Sequence, residues 1–199
     1  MKPHWLIIPL LVFCMAAYSQ NAFETEKDHS EIEKFITVQG LSIASIGEFK
    51  DNWKTAGGFY IGYGIIYSDN GALLFQAGII NFKENEDAGY QNNSEFRLTP
   101  FMVGGRYYMT KEKFRPFLQA LSGIGVISQN WATADTSVAN TEVHLAFQVG
   151  IGLDILLFNG LQIEAVASYN SHLLDPPKPY NITGLEYSVG LVWRFSGQD

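Results

Sequence analysis

The chain has 199 residues, 47% of them hydrophobic, with 20 acidic side chains against 13 basic ones and a single cysteine. An acidic balance without a basic stripe argues against nucleic acid as a partner, and one cysteine excludes an internal disulfide framework. The length suits one domain and not comfortably two.

The first residues read as a secretory leader. Met1, Lys2 and His4 make a weakly basic start, Trp5 to Ala17 is almost continuously apolar, and Ala17-Tyr18-Ser19 places small residues before Gln20. A signal peptide over 1–19 is expected, because this apolar core is too short to span a bilayer as a helix. Cys14 would suit lipidation only if small residues preceded it, and Val12-Phe13 are bulky. Removing Lys2 with the leader leaves 12 basic residues against 20 acidic ones, a formal charge of −8. Residues 20–33 then form a polar lead-in, and 34–199 the folded domain. No later run is apolar enough for a membrane helix: the longest uncharged stretch, Phe117 to Ala134, is broken by Gln119, Ser122, Gly123, Gly125, Ser128, Gln129 and Asn130.

The remaining pattern has period two, the signature of strands. The first segment, roughly 35–46, opens with Phe35-Ile36-Thr37-Val38-Gln39-Gly40-Leu41. From Trp53 the odd positions Trp53, Phe59, Ile61, Tyr63, Ile65 and Tyr67 oppose Ala56, Gly58, Gly62 and Gly64. Segments 72–83 and 95–109 follow. The latter mixes parities, with Phe96 and Leu98 on one face and Phe101, Val103 and Tyr107 on the other. A bulge near Pro100, which cannot donate to a ladder, would reconcile them. In 113–128, Leu118, Ala120, Ile124 and Val126 alternate with Gln119, Leu121, Gly123 and Gly125. Val143, Leu145, Phe147, Val149, Ile151, Leu153 and Ile155 alternate with Glu142, His144, Gln148, Gly152 and Asp154. Segment 160–170 sets Leu161, Ile163, Ala165 and Tyr169 against Gln162, Glu164, Ser168 and Asn170. The last sets Leu185, Tyr187, Val189, Leu191, Trp193 and Phe195 against Glu186, Ser188, Gly190 and Arg194.

Connections alternate between short and long. Ser68-Asp69-Asn70-Gly71, Thr110-Lys111-Glu112 and Phe158-Asn159-Gly160 are tight, the first suiting two residues at positive φ. Polar stretches at 47–52, 84–94, 129–141 and 171–184 are longer. Short turns on one rim and long loops on the other are the pattern of outer-membrane barrels, the short set periplasmic. The expected fold is therefore all-β, an eight-stranded antiparallel up-and-down transmembrane β-barrel in the cell outer membrane. A soluble carrier would put its apolar face inside. Here the large apolar face has no helix to cover it, and in water it would far exceed what a soluble monomer exposes. Tyr67, Tyr107, Tyr108, Phe114, Trp193 and Phe195 gather toward the short-turn rim, and Trp53, Tyr169 and Tyr187 toward the other, as two interfacial girdles.

With Phe114-Arg115-Pro116-Phe117 running into Gly123-Ile124-Gly125-Val126, and the closing Val189-Gly190-Leu191-Val192-Trp193-Arg194-Phe195, the chain resembles the small outer-membrane β-barrel family, the OmpA/OmpX-like transmembrane domains and especially their Bacteroidetes-type porin-family variants. The resemblance implies recognition of the closing aromatic by the barrel-insertion machinery, although Ser196-Gly197-Gln198-Asp199 follow it here. It implies lipid and lipopolysaccharide as surroundings. The family's functions are mixed: structural barrels, surface-interaction proteins, narrow pores and a few lipid A enzymes.

Inward parity collects Glu142, His144, Asp154, Glu164, Glu186, Lys54, Arg106, Arg115 and Arg194. Eight strands leave room only for side chains, so these residues are expected to form ion pairs, Glu164 with Arg194 and Arg115 with Asp154. This interior polar network of Arg115, Asp154, Glu164 and Arg194 has a structural role in the expected reading, or forms a latch if the barrel is a gated pore. An enzyme reading by resemblance would recruit Ser171, His172 and Glu186. Adjacent Ser171 and His172 point to opposite faces of a strand, and their order does not match the family's histidine-before-serine spacing. No catalytic residue, cofactor or metal ligand is expected, since His29, His144 and His172 are dispersed. The expected function is a structural or cell-surface-interaction barrel whose surface partner the residues do not name. A narrow pore is second and a lipid A-modifying enzyme third.

Overall fold

A computed structural model describes residues 32–84, 95–132, 137–158, 160–173 and 182–196. Eight strands follow one another: β1 (Glu33–Ser45), β2 (Trp53–Ile66), β3 (Gly71–Glu84), β4 (Glu95–Tyr108), β5 (Phe114–Ala132), β6 (Ser137–Phe158), β7 (Leu161–Leu173) and β8 (Ile182–Ser196). One short helix, α1 (Phe49–Asn52), lies between β1 and β2. Each strand pairs antiparallel with its neighbours, and β1 closes on β8 from Glu33↔Ser196 to Ser45↔Gly184, giving a closed barrel in sequence order. No helix among the described residues is long and apolar enough to cross a membrane. The expected leader lies outside the described residues, and so does the lead-in apart from Ile32 and Glu33.

The alternation decides which face each side chain takes. On β1 the odd residues Phe35, Thr37, Gln39, Leu41 and Ile43 are buried while Ile36 and Val38 are exposed. On β8 the sense is reversed: Glu186, Ser188 and Val192 are buried, and Tyr187, Val189, Leu191 and Trp193 stand outside, Trp193 at 65% exposure. Water would penalise that outer surface at roughly 25 cal/mol per Å2, whereas hydrocarbon does not. The inner wall is crowded because bulky rings lie over glycines. A Cβ on Gly64 would sit 2.0 Å from the Phe35 ring, and one on Gly152 2.2 Å from the Phe117 ring.

Several details differ from the sequence-based expectation. Trp53 and Tyr108 are buried inside the barrel and join neither girdle. A register shift between Trp53 and Ala56 turns Trp53 inward, and Tyr108 follows the even, inward parity of β4. That strand contains no bulge: its ladder with β5 runs unbroken from Glu95↔Asn130 to Tyr108↔Phe117. Both its faces are apolar because Phe96 and Leu98 pack into the lumen while Phe101, Val103 and Tyr107 face lipid. Gly71 stays out of the left-handed region. Its turn closes through Tyr67 N–H to Gly71 O (3.1 Å), and Asn70 ties it to β4 by donating to Tyr108 O (2.6 Å). Residues 129–132 and 137–141 of one expected loop are strand, and so are the ends of another, 171–173 and 182–184. Polar residues there need not alternate with apolar ones, because the ladder continues above the bilayer with water on both faces.

Candidate functional site

The inward side chains stack in tiers. Nearest the short-turn rim lies an ionic tier. Arg106 on β4 is 2% exposed and reaches across the lumen to an ion pair with Glu164 on β7. It also donates to Gln119 Oε1 (2.9 Å) and holds its guanidinium 4.0 Å from the centroid of the Phe117 ring. Glu164 accepts further bonds from Gln39 Nε2 and from Thr37 Oγ1 (3.3 Å). Arg194 on β8 donates to Asp154 Oδ2 on β6 (3.4 Å) and stands 3.6 Å from Glu33. Arg115 is opposite Asp154 in the ladder, and its guanidinium lies 5.6 Å from the Tyr108 ring centroid.

The ion pairs thus differ from the neighbour pairs that parity and strand order suggested. Glu164 takes Arg106 and Asp154 takes Arg194. In a narrow lumen a long inward side chain lies across the barrel, so its partner is set by level along the axis as much as by strand adjacency. Lys54's side chain lies outside the described residues.

The middle tier is neutral apart from one acid. Glu186 accepts from Tyr60 Oη (2.9 Å), Asn170 Nδ2 (2.7 Å), Gln148 Nε2 (2.9 Å) and Ser168 Oγ (3.3 Å). Four donors satisfy a buried carboxylate that would otherwise be costly to desolvate. These donors are uncharged residues at inward parity, so charge alone does not single them out in the sequence. Toward the long-loop rim the lumen becomes aromatic. Phe49 of α1 tucks inward, 5.1 Å from Phe82 and 5.5 Å from Phe96, and Trp53 lies 5.1 Å from Phe96. Beside this plug His144 approaches Glu142 (3.0 Å), and His172 is buried. Ser171 and His172 occupy successive, opposite-facing positions on β7, and Glu186 is engaged in its own cage, so the three make no nucleophile–base–acid chain. Among the described residues no group of three histidines, cysteines or acids could hold a metal ion.

A closed barrel with an apolar outer belt, a polar filled interior and short turns on one rim defines an outer-membrane β-barrel protein. The chain belongs to the outer membrane protein beta-barrel domain family, whose model matches residues 6–195, and it sits in the lipid bilayer of the cell outer membrane. No curated protein sequence matches it. Among solved structures it is similar to Ail, the attachment invasion locus protein of Yersinia pestis (18% identity, 83% of this chain and 100% of that one, TM-score 0.59). It is also similar to Neisserial surface protein A (14% identity, 82% and 97%, TM-score 0.56) and to OprG from Pseudomonas aeruginosa (12% identity, 85% and 98%, TM-score 0.53). These likenesses establish a shared fold.

Proposed function

We propose that this barrel has a structural and cell-surface-interaction role in the outer membrane and neither conducts solutes nor catalyses a reaction. The observation that supports this reading is the filled lumen. The Arg106–Glu164 and Arg194–Asp154 pairs occupy its lower half, the Glu186 cage its middle, and the Phe49–Phe82–Phe96 cluster its upper mouth. Eight strands enclose too little space for a water column beside such side chains. Function then falls to the surface the long-loop rim presents. Lipopolysaccharide around that rim and the barrel-insertion machinery during assembly are the partners this reading implies. A structural neighbour whose name describes attachment and invasion fits it.

The test pairs planar-bilayer recording of the refolded barrel with adhesion of cells that carry or lack it. Zero conductance with a surface-binding difference is expected. Steady single-channel steps would replace this reading with a narrow pore, the arginine–carboxylate pairs as its latch. A Ser171→Ala variant that changes lipid A acylation would replace it with an enzyme.

A further inference from the structure

The outer wall of the barrel is not evenly tall. Val166 and Ser168 on β7 are buried, so Ala167 between them faces lipid, and Ala165 is exposed on the same face. The ladders put Ala167 between Ile151 of β6 and Tyr187 of β8, which stand out at 62% and 60% exposure. A methyl group between two tall side chains leaves a furrow, and its volume is about 530 Å3. Tyr169 and its ladder partners Val149 and Leu185 border the upper end. One step lower, Ala165 continues the floor between Leu153 and Val189.

The position and shape of the furrow select its occupant. It lies in the apolar belt with Tyr169 and Tyr187, toward the long-loop rim, at its upper end, so hydrocarbon of the outer leaflet surrounds it. Two strand spacings, about 9.6 Å, separate the ridges. A carbon in contact with both needs about 3.5–4.0 Å to each, so a single file of carbons fits between Ile151 and Tyr187. A helix, about 10–12 Å across, does not. Among the described residues no charged side chain faces outward on β5, β6, β7 or β8, whereas β3 and β4 carry outward Lys83, Glu95 and Arg97. The furrow therefore has nothing to hold a phosphate or an ionic peptide. Its polar groups are the Tyr169 and Tyr187 hydroxyls, which have no hydrogen-bond partner among the described residues.

We propose that the furrow over Ala167 and Ala165 is a binding site for one acyl chain of an outer-leaflet lipid A molecule. The chain lies along β7 with its carbonyl linkage at the Tyr169 and Tyr187 hydroxyls. A phenol at the membrane interface keeps its ring in hydrocarbon and its hydroxyl at headgroup level, where such carbonyls accept. Lipid tails are as apolar as the wall, so close packing and not the hydrophobic effect sets the preference. The proposal rests on lipopolysaccharide being the lipid around the long-loop rim and assigns it one place on the barrel.

The experiment uses the full barrel folded in phospholipid nanodiscs that contain lipid A. The same photoreactive diazirine is carried on an acyl chain of the lipid A in one set and of the phospholipid in another, at equal mole fraction. Adducts are mapped by mass spectrometry after irradiation. Lipid A adducts on Leu185–Leu191 of β8 should exceed those on Phe59–Tyr63 of β2, where every outward side chain is tall, by at least about fivefold. Phospholipid adducts should show no such excess. Ala167→Leu fills the furrow and should bring the β8 adducts down to the β2 level while retaining the gel shift between boiled and unboiled samples. Ala77→Leu, outward on β3 across the barrel, should leave them unchanged. Even labelling around the belt would overturn the proposal, as would an excess undiminished in Ala167→Leu. Equal excess from both lipids would overturn the assignment to lipid A. A β8 excess that fades as barrel concentration rises would mean that a second copy covers the furrow, and would overturn it too. Loss of the site alone leaves the surface-interaction reading standing, whereas lipid A adducts absent from the whole outer half of the belt would also count against the lipopolysaccharide partner.

Discussion

Replacing Arg106 tests whether the lumen is the side-chain-filled space proposed above. Arg106→Met removes the cation from Glu164 and leaves that buried carboxylate with Gln39 and Thr37 as donors. Breaking a buried pair by deleting one partner costs about 3–5 kcal/mol, because the surviving charge is uncompensated. Loss of the Phe117 contact, 4.0 Å from the guanidinium, adds up to about 2 kcal/mol for a desolvated cation–π pair. Glu164→Gln leaves the reciprocal orphan, Arg106 bonded to Gln119, and should cost a similar amount. The double variant carries neither charge, so it should lie within about 2 kcal/mol of the parent. The cycle should therefore give a coupling energy of about 3 kcal/mol or more. The assay is urea titration in lipid vesicles under conditions where folding and unfolding curves coincide, followed by tryptophan fluorescence. An Arg106→Met cost below about 1 kcal/mol, the range of solvated pairs, would mean that water fills the lumen and that the non-conducting reading is wrong.

Three further expectations use the same titration. Gly64→Val drives a side chain into the Phe35 ring, 2.0 Å from the added Cβ, and should cost about 1–3 kcal/mol. Gly105→Ala meets nothing within 4 Å and should change stability by less than about 0.5 kcal/mol; equal effects would refute the packing assignment. Val189→Arg, on the lipid face between the levels of Tyr187 and Trp193, should cost about 2–4 kcal/mol, and a neutral result would place water outside the barrel. Phe49→Ala should cost about 3–5 kcal/mol if the plug is a packed core. The same change should speed amide exchange around β1 and β2 at the long-loop rim, and unchanged exchange there would show that α1 does not close the mouth.

Fold class, strand count and strand direction were legible in the chain because they follow from local rules. Period-two alternation sets the faces, and length alternation of the connections sets the two rims. The large residues of β6, β7 and β8 needed no partner to be placed outward. The same parity turned Asp154 and Glu164 inward, where both are fully buried. Single-residue offsets were not legible. The shift at Trp53 and the unbroken ladder through Pro100 depend on what lies opposite, and a one-residue slip exchanges the two faces. The length of the β5–β6 hairpin was hidden for a related reason. Above the membrane neither face must be apolar, so strand and loop there have the same polar composition. Only tertiary structure could choose Arg106 over Arg194 for Glu164, because a charge selects its partner across the lumen by level. That level is set by strand tilt and stagger in the closed barrel, quantities that belong to no single segment of the chain.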